Sequence, residues 1–226
     1  MQGKIIVVTG ALGALGKVVA ETAQSRGARV AGIDHAPSQA PATPESIEIG
    51  GVDLSDAAKA KTAVGAAARH FGRIDALINI AGGFAFETVG DGDIKTWHRM
   101  YALNVLTALN ASRAALPHLA ASKAGRIVNI GAMSALQAGS GMGSYAASKA
   151  GVHRLTEALA SEWKGKVTVN AVLPSIIDTR ANRADMPKAD FSRWVTPQEL
   201  TEVILFLASD AASGVTGALI PVGGRV

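Results

Sequence analysis

The stretch Ile5-Ile6-Val7-Val8-Thr9-Gly10-Ala11-Leu12-Gly13-Ala14-Leu15-Gly16 decides the fold. Its first five residues are all β-branched, which predicts a strand buried on both faces. Glycines then impose a tight turn, and residues 14–26 carry apolar side chains at helical spacing. Small residues in such a turn let the backbone approach a pyrophosphate, and the following helix offers unpaired amides and the positive end of its dipole. Gly10, Leu12, Gly13, Ala14, Leu15 and Gly16 are therefore candidate dinucleotide contacts. A tight strand-to-helix turn with no ligand is the alternative.

Outward from this unit the pattern repeats. Short apolar runs at 28–33, 46–52, 74–80, 126–130, 167–172 and 218–222 alternate with helical periods at 57–71, 93–121, 144–164 and 197–208. Such alternation predicts one α/β domain over residues 1–226, with a doubly wound, mostly parallel, seven-stranded sheet and helices on both faces. Two irregular stretches interrupt it. Residues 36–45 hold Pro37, Pro41 and Pro44 and read as a surface loop. Residues 175–196 form a connection long enough to read as a substrate loop.

Composition narrows the function classes. Of the 226 residues 48% are hydrophobic and 18% charged, so a large core can be buried and global disorder is excluded. With no cysteine there is no disulfide framework, thiolate nucleophile or cysteine-based zinc site. A net charge of +4, carried by scattered basic residues, makes no case for nucleic acid. No apolar run reaches the roughly 18 residues of a membrane span, and Met1-Gln2-Gly3-Lys4 leads straight into the first strand without the pattern of a signal peptide. The expectation is a cytoplasmic protein acting on a small molecule, with no nucleic-acid or membrane partner. No His/Asp/Glu cluster has metal-ligand spacing, so no metal is expected.

Asp34 ends the second strand, where a carboxylate would accept from the adenosine ribose hydroxyls and repel a 2′-phosphate. The glycine turn carries no Arg or Lys to offset that repulsion, which favours NAD(H) over NADP(H). A solvated turn acid is the alternative. Asp53, followed by Leu54, ends the third strand and reads equally as an acceptor for the adenine amino group or as a helix cap. Tyr145 and Lys149 stand four apart at the start of a long helical segment and so share a face. An ammonium beside a phenol favours phenolate, which would bring a side chain with an ordinary pKa of ~10 toward acid–base work at neutral pH.

The glycine turn, Asn79-Ile80-Ala81-Gly82, Asn104, Tyr145/Lys149 and the run from Pro174 to Thr179 occur in the order and spacing of the short-chain dehydrogenase/reductase family, which the chain resembles along almost its whole length. The resemblance implies a single-domain Rossmann fold and an NAD(P)-dependent oxidoreductase. It further implies that Tyr145 is the acid–base residue, that Lys149 orients the nicotinamide ribose, and that Asn104 holds a water in a proton relay. Thr179 and the backbone at Ile177 would hold the carboxamide, with Asn79, Ala81, Gly82 and Pro174 as further cofactor contacts. A homodimer or homotetramer paired through 93–121 and 144–164 is implied as well.

The chain departs from that family in several places. Ala14 stands for a glycine, Ile80 for the second Asn, and Ser175 for a glycine; no Asp precedes Gly223-Gly224. The departure with chemical consequence is Ala132, at the position thirteen before Tyr145 where the family places a serine. Ser134 would reach the site from a rearranged loop, or is an ordinary loop serine. The segment 178–194, Ala81-Gly82-Gly83-Phe84 and the serine-less 131–136 stretch resemble dihydropteridine reductases, which implies a quinonoid dihydropterin reduced with NADH. Phe84, Met133, Met186 and Trp194 would then wall a flat substrate; anchoring of the loop by Phe191 and Trp194 is the alternative. A carbonyl or alcohol substrate, such as a 3-oxoacyl thioester or small ketone, is the second expectation. A dinucleotide-binding sensor without catalysis is the third.

Overall fold

The computed structural model describes residues 1–38 and 40–226. Seven strands form one parallel sheet in the order β3-β2-β1-β4-β5-β6-β7. They are β1 (Ile5–Thr9), β2 (Arg29–Ile33), β3 (Ser46–Ile49), β4 (Ala76–Asn79), β5 (Gly125–Ile130), β6 (Val167–Pro174) and β7 (Leu219–Val222). Every paired strand runs parallel to its neighbour, so the sheet is parallel throughout rather than mostly so. The strand order reverses between β1 and β4, which opens a crevice at their carboxyl ends.

Alternation along the strands builds two apolar layers. Ile5, Val7, Leu77, Ile127 and Val169 face α2 (Ala57–Phe71), α4 (Thr107–Ala121) and α5 (Gly143–Glu162). Ile6, Val8, Ile78, Val128 and Val172 face α1 (Ala14–Ser25) and α7 (Pro197–Leu207). Helix starts follow local chemistry: Asp56 accepts from the Ala58 and Lys59 amides at the start of α2. Thr196 and Glu199 form a reciprocal capping box at α7, with Pro197 in its first turn.

Four expectations are corrected. The third strand stops at Ile49 instead of 52, and the fourth is confined to Ala76–Asn79. The helical period at 93–121 is not one helix: α3 (Ile94–Tyr101) passes through a π turn (Ala102–Leu106) into α4, where the Thr107 amide donates to Ala102 O. The 175–196 stretch is not irregular. It holds α6 (Arg180–Asp185), a 3₁₀ turn (Phe191–Arg193) and a parallel bridge between Ile177 and Val195. Of the expected 36–45 loop, Gln39 lies outside the described residues, and its neighbours are mostly exposed. Among the described residues no helix is long and apolar enough to cross a membrane.

At the opposite end of the sheet from the crevice, Asp75 ties three elements together. Its carboxylate accepts from the Ile5 amide at 2.9 Å, Arg73 Nε at 3.0 Å and Ser122 Oγ at 2.8 Å. Asp75→Ala would leave the buried Ile5 N–H unpaired. It is expected to cost ~2–3 kcal/mol, read as a lower urea midpoint at unchanged slope.

Candidate active site

The site assembles from the carboxyl ends of adjacent strands. After β1 the chain turns at Gly10 with φ +67°, a left-handed conformation that side chains resist. A β-carbon there would also come within 2.9 Å of Ala81 N, and one at Gly16 would overlap the Gly10 carbonyl. The turn is therefore folded tightly against both α1 and the segment after β4. Gly13 caps α1 with no side-chain hydrogen bond, and the first turn of α1 holds no acidic residue among those described. Its amides are left to an anion, so the cradle fits a pyrophosphate. Gly10, Leu12, Gly13, Ala14, Leu15 and Gly16 come together here, but the Leu15 side chain is buried against the sheet. It can offer only its backbone.

Asp34 reaches this turn from β2. One carboxylate oxygen accepts from the Leu12 amide at 2.9 Å and the other from the Ala36 amide at 2.9 Å. The half-buried acid is thus part of the turn's scaffold. Asp53 is neither bonded to this turn nor a helix cap. It accepts from Ser55 N at 2.9 Å and Ser55 Oγ at 2.6 Å, and those bonds hold its carboxyl below the usual range. The cap of α2 is Asp56. Leu54 is buried, with its carbonyl taken by Asn110 Nδ2 at 3.1 Å.

Asn79 ends β4 and is buried. Its side chain turns away from the crevice into the sheet–helix layer, where Nδ2 donates to Ser112 Oγ at 3.1 Å and Asn129 Oδ1 at 2.9 Å. Asn129 continues the chain to Thr156 Oγ1 at 2.9 Å. The crevice-side contact after β4 is made instead by Thr9 Oγ1, which accepts from the Ile80 and Ala81 amides.

Gly82 lies where the segment after β4 meets Asn104 and Lys149. A β-carbon at Gly82 would lie 2.5 Å from Asn104 Oδ1 and 3.5 Å from Lys149 Nζ. Asn104, 1% exposed, sits in the π turn, a helix irregularity often found at functional sites. Its side chain accepts from the Gly83 amide at 3.1 Å and donates to Gly83 O at 3.0 Å and Ser148 Oγ at 2.9 Å. Ser148 in turn donates to Tyr145 O at 2.7 Å. Nothing in the sequence reading singled out Ser148.

Tyr145 is half-buried, with the Phe84 ring edge-on at 4.9 Å. Burial pushes its phenol up to about 12. Burial also pushes the Lys149 ammonium down to about 8, and Lys149 Nζ donates to Ile130 O at 2.8 Å. Burial, rather than Lys149, sets the direction of the Tyr145 shift in the protein alone. The ammonium is spent on a carbonyl, and loss of water dominates both groups.

The remaining candidates divide. Ala132 is buried, and its amide donates to His153 Nε2 at 3.3 Å. Ser134 lies half-buried in a 3₁₀ turn (Met133–Ala135), and no hydrogen bond joins it to Tyr145 among the described residues. Met133 is likewise half-buried in that turn, and Phe84 and Met186 are open to solvent. Trp194 is 4% exposed and packs against Phe191 at 4.8 Å, the arrangement of a loop anchor. Pro174 ends β6 beside Val222. Thr179 Oγ1 caps α6 through the Asn182 amide, and Ile177 O accepts from Asn182 Nδ2 at 2.8 Å. Among the described residues no group of three or more His, Cys, Asp or Glu is arranged to hold a metal.

Comparison with known proteins agrees with this architecture. The 2-(S)-hydroxypropyl-CoM dehydrogenase 3 of Xanthobacter autotrophicus is 31% identical across 99% of this chain and 96% of its own. The 3-oxoacyl-[acyl-carrier-protein] reductase of Thermotoga maritima is 30% identical across 99% of this chain and 98% of its own. A Brucella melitensis 3-ketoacyl-(acyl-carrier-protein) reductase solved with NADH superposes with a TM-score of 0.88 at 27% identity, over 99% of this chain and 98% of that one. A model of the short chain dehydrogenase family matches residues 4–190, and the chain belongs to that family of oxidoreductases.

Proposed function

We propose that this chain is an NAD(H)-dependent oxidoreductase that interconverts a carbonyl and an alcohol on a small substrate, in the class of 3-oxoacyl thioesters and small ketones. The observation that carries the reading is the meeting of Gly82, Asn104 and Lys149, which brings the Tyr145–Lys149 pair to the crevice opened by the glycine turn. The names of the relatives, a hydroxyalkyl dehydrogenase and 3-oxoacyl reductases, support the substrate class. The nicotinamide cofactor would supply the hydride.

In this reading the first amides of α1 hold the pyrophosphate and Asp34 accepts from the adenosine ribose. Lys149 and the backbone at Gly82 border the nicotinamide ribose, with Thr179 and Ile177 nearer its carboxamide. Tyr145 gives its phenolic proton to the substrate oxygen as the adjoining carbon is reduced. Burial keeps the phenol in its protonated form at neutral pH, so the proton to be given is present before the hydride moves. Phe84, edge-on to Tyr145 and open to solvent, supplies an apolar wall on the substrate side. We further propose the expected homo-oligomer, paired through α4 and α5.

Ala132 favours a second reading. A carbonyl oxygen next to Tyr145 would lack the serine hydroxyl that the family places there, and one such donor is worth about 3–4 kcal/mol of transition-state stabilisation. A quinonoid dihydropterin, reduced at a ring nitrogen, has less need of it. NADH oxidation by the purified protein with small ketones, a β-ketoacyl thioester and quinonoid dihydropterin separates the two. Fast turnover of the carbonyl compounds is expected. Turnover of the pterin alone would replace the first reading with the second, and turnover of none would sink both.

Tyr145→Phe is expected to cut turnover by ~10³-fold or more while leaving NADH binding, followed by fluorescence, within about twofold. The chain has two tyrosines, Tyr101 and Tyr145, so a difference titration of wild type against Tyr145→Phe at the tyrosinate band isolates one phenol. Its midpoint is expected well above 10 without cofactor, in the direction set by burial; a midpoint below 10 would restore the lysine-lowered phenol. Asp34→Ala removes both the ribose acceptor and the Leu12 tie. It is expected to raise KM for NADH by ~10-fold or more and to narrow the preference over NADPH, read from kcat/KM with each cofactor.

A further inference from the structure

Tyr145, Lys149 and His153 succeed one another at intervals of four along α5 and so lie on one face of the helix. The lower two reach the same strand end. Lys149 Nζ donates to Ile130 O at 2.8 Å, and His153 Nε2 accepts from the Ala132 amide at 3.3 Å. Between them the Gly131 amide donates to Val172 O at 2.9 Å. A β-carbon on Gly131 would overlap His153 Nε2 and lie 3.1 Å from Leu173 Cδ1. The chain leaving β5 therefore rests directly on the imidazole, at the point where it becomes the floor of the site.

The chemistry of this contact requires a particular form of the ring. His153 is 2% exposed. Burial, with smaller contributions from Arg154 and Lys149, pushes it down to about 4, so the ring is neutral at physiological pH. A neutral imidazole has one acceptor nitrogen and one N–H. Acceptance at Nε2 assigns the proton to Nδ1. An apolar side chain of similar size would fill the space but leave the Ala132 N–H buried without a partner.

We propose that His153 is a positioning residue for the acid–base pair: by accepting the Ala132 amide it fixes the strand end whose Ile130 carbonyl holds the Lys149 ammonium. Two residues of extended chain separate the two bonds, about 7 Å. A strand end released at Ala132 carries the Ile130 carbonyl with it. Lys149 then loses its partner, and its nitrogen shifts relative to Tyr145 and to the ribose it faces. His153 also shapes specificity, because it admits no side chain at 131 and so limits how far residue 132 can move toward the substrate.

The inference rests on the proposed hydride-transfer reading only for its activity readout. In wild-type protein, ¹H–¹⁵N spectra of the histidine rings are expected to show one ring protonated at Nδ1 and unprotonated at Nε2 from pH 8 down to 5, and that signal disappears in His153→Gln. His153→Leu is expected to lower kcat by ~30-fold with KM for NADH within threefold, and to speed hydrogen exchange at the Ala132 amide. It is also expected to displace the Lys149-dependent limb of the pH profile. His153→Gln, whose amide oxygen is an acceptor, is expected to restore kcat to within about fivefold and to slow that exchange again. A merely structural His153 would lower Tm in both variants while leaving kcat and the pH profile of the folded protein as in wild type, and that result overturns the proposal. A ring protonated at Nε2 overturns it as well. If His153→Leu does not fold, the ring tautomer and the rescue level of His153→Gln decide. If no substrate turns over in the wild type, the functional reading has failed, while tautomer and Ala132 exchange still test the positioning role.

Discussion

The ammonium of Lys149 is buried, and its bond to the Ile130 carbonyl is the constraint on which the rest of the site depends. A cation out of water is costly unless something accepts its protons. A main-chain carbonyl at the end of a central strand is a partner that the sheet itself holds still. That bond fixes α5 against β5, and α5 carries Tyr145 one turn above. On the other side Gly82 is stripped of a side chain because Asn104 and Lys149 already fill the space. The acid–base pair is thus placed by the same parallel sheet that places the glycine turn, and the two halves of the crevice share one rigid frame.

The frame explains why Tyr145 and Lys149 depart from their ordinary values in opposite senses. Tyr145 is held in its neutral acid form, up at about 12, and Lys149 is eased toward its neutral base form, down at about 8. Both shifts have one cause, loss of water, which disfavours whichever form is charged. The geometry alone therefore stores a proton on the tyrosine.

The parts of the fold set by backbone requirements were legible in the sequence. The β-branched run at Ile5–Thr9, the close glycine turn and the four-residue spacing of Tyr145 and Lys149 each demand a local conformation that tertiary packing has no reason to oppose. The parts set by competition between neighbours were not. The π turn at Ala102–Leu106 adds one residue to a helical repeat too permissive to reveal it. Trp194 is apolar with a polar edge, and only the arrival of Phe191 beside it commits the ring to the core. Two signals were present and unread. Alternation from Leu77 places Asn79 on the α4 face, away from the cofactor side. The interval of four that links Tyr145 to Lys149 continues to His153, whose ring accepts from the Ala132 amide.

In the proposed NAD(H) reading, Asp34 makes cofactor choice and turn stability one property. A carboxylate whose two oxygens already accept from the Leu12 and Ala36 amides is pinned in place. Further acceptance from ribose hydroxyls costs little reorganisation, whereas a 2′-phosphate would meet a charge that cannot swing away. Replacing Asp34 by a neutral residue to admit that phosphate would also untie Leu12 and loosen the turn that approaches the pyrophosphate. Discrimination at one end of the cofactor and affinity at its middle therefore cannot be tuned separately through this residue. A chain that needed NADPH would have to rebuild the Leu12 contact as well as remove the charge.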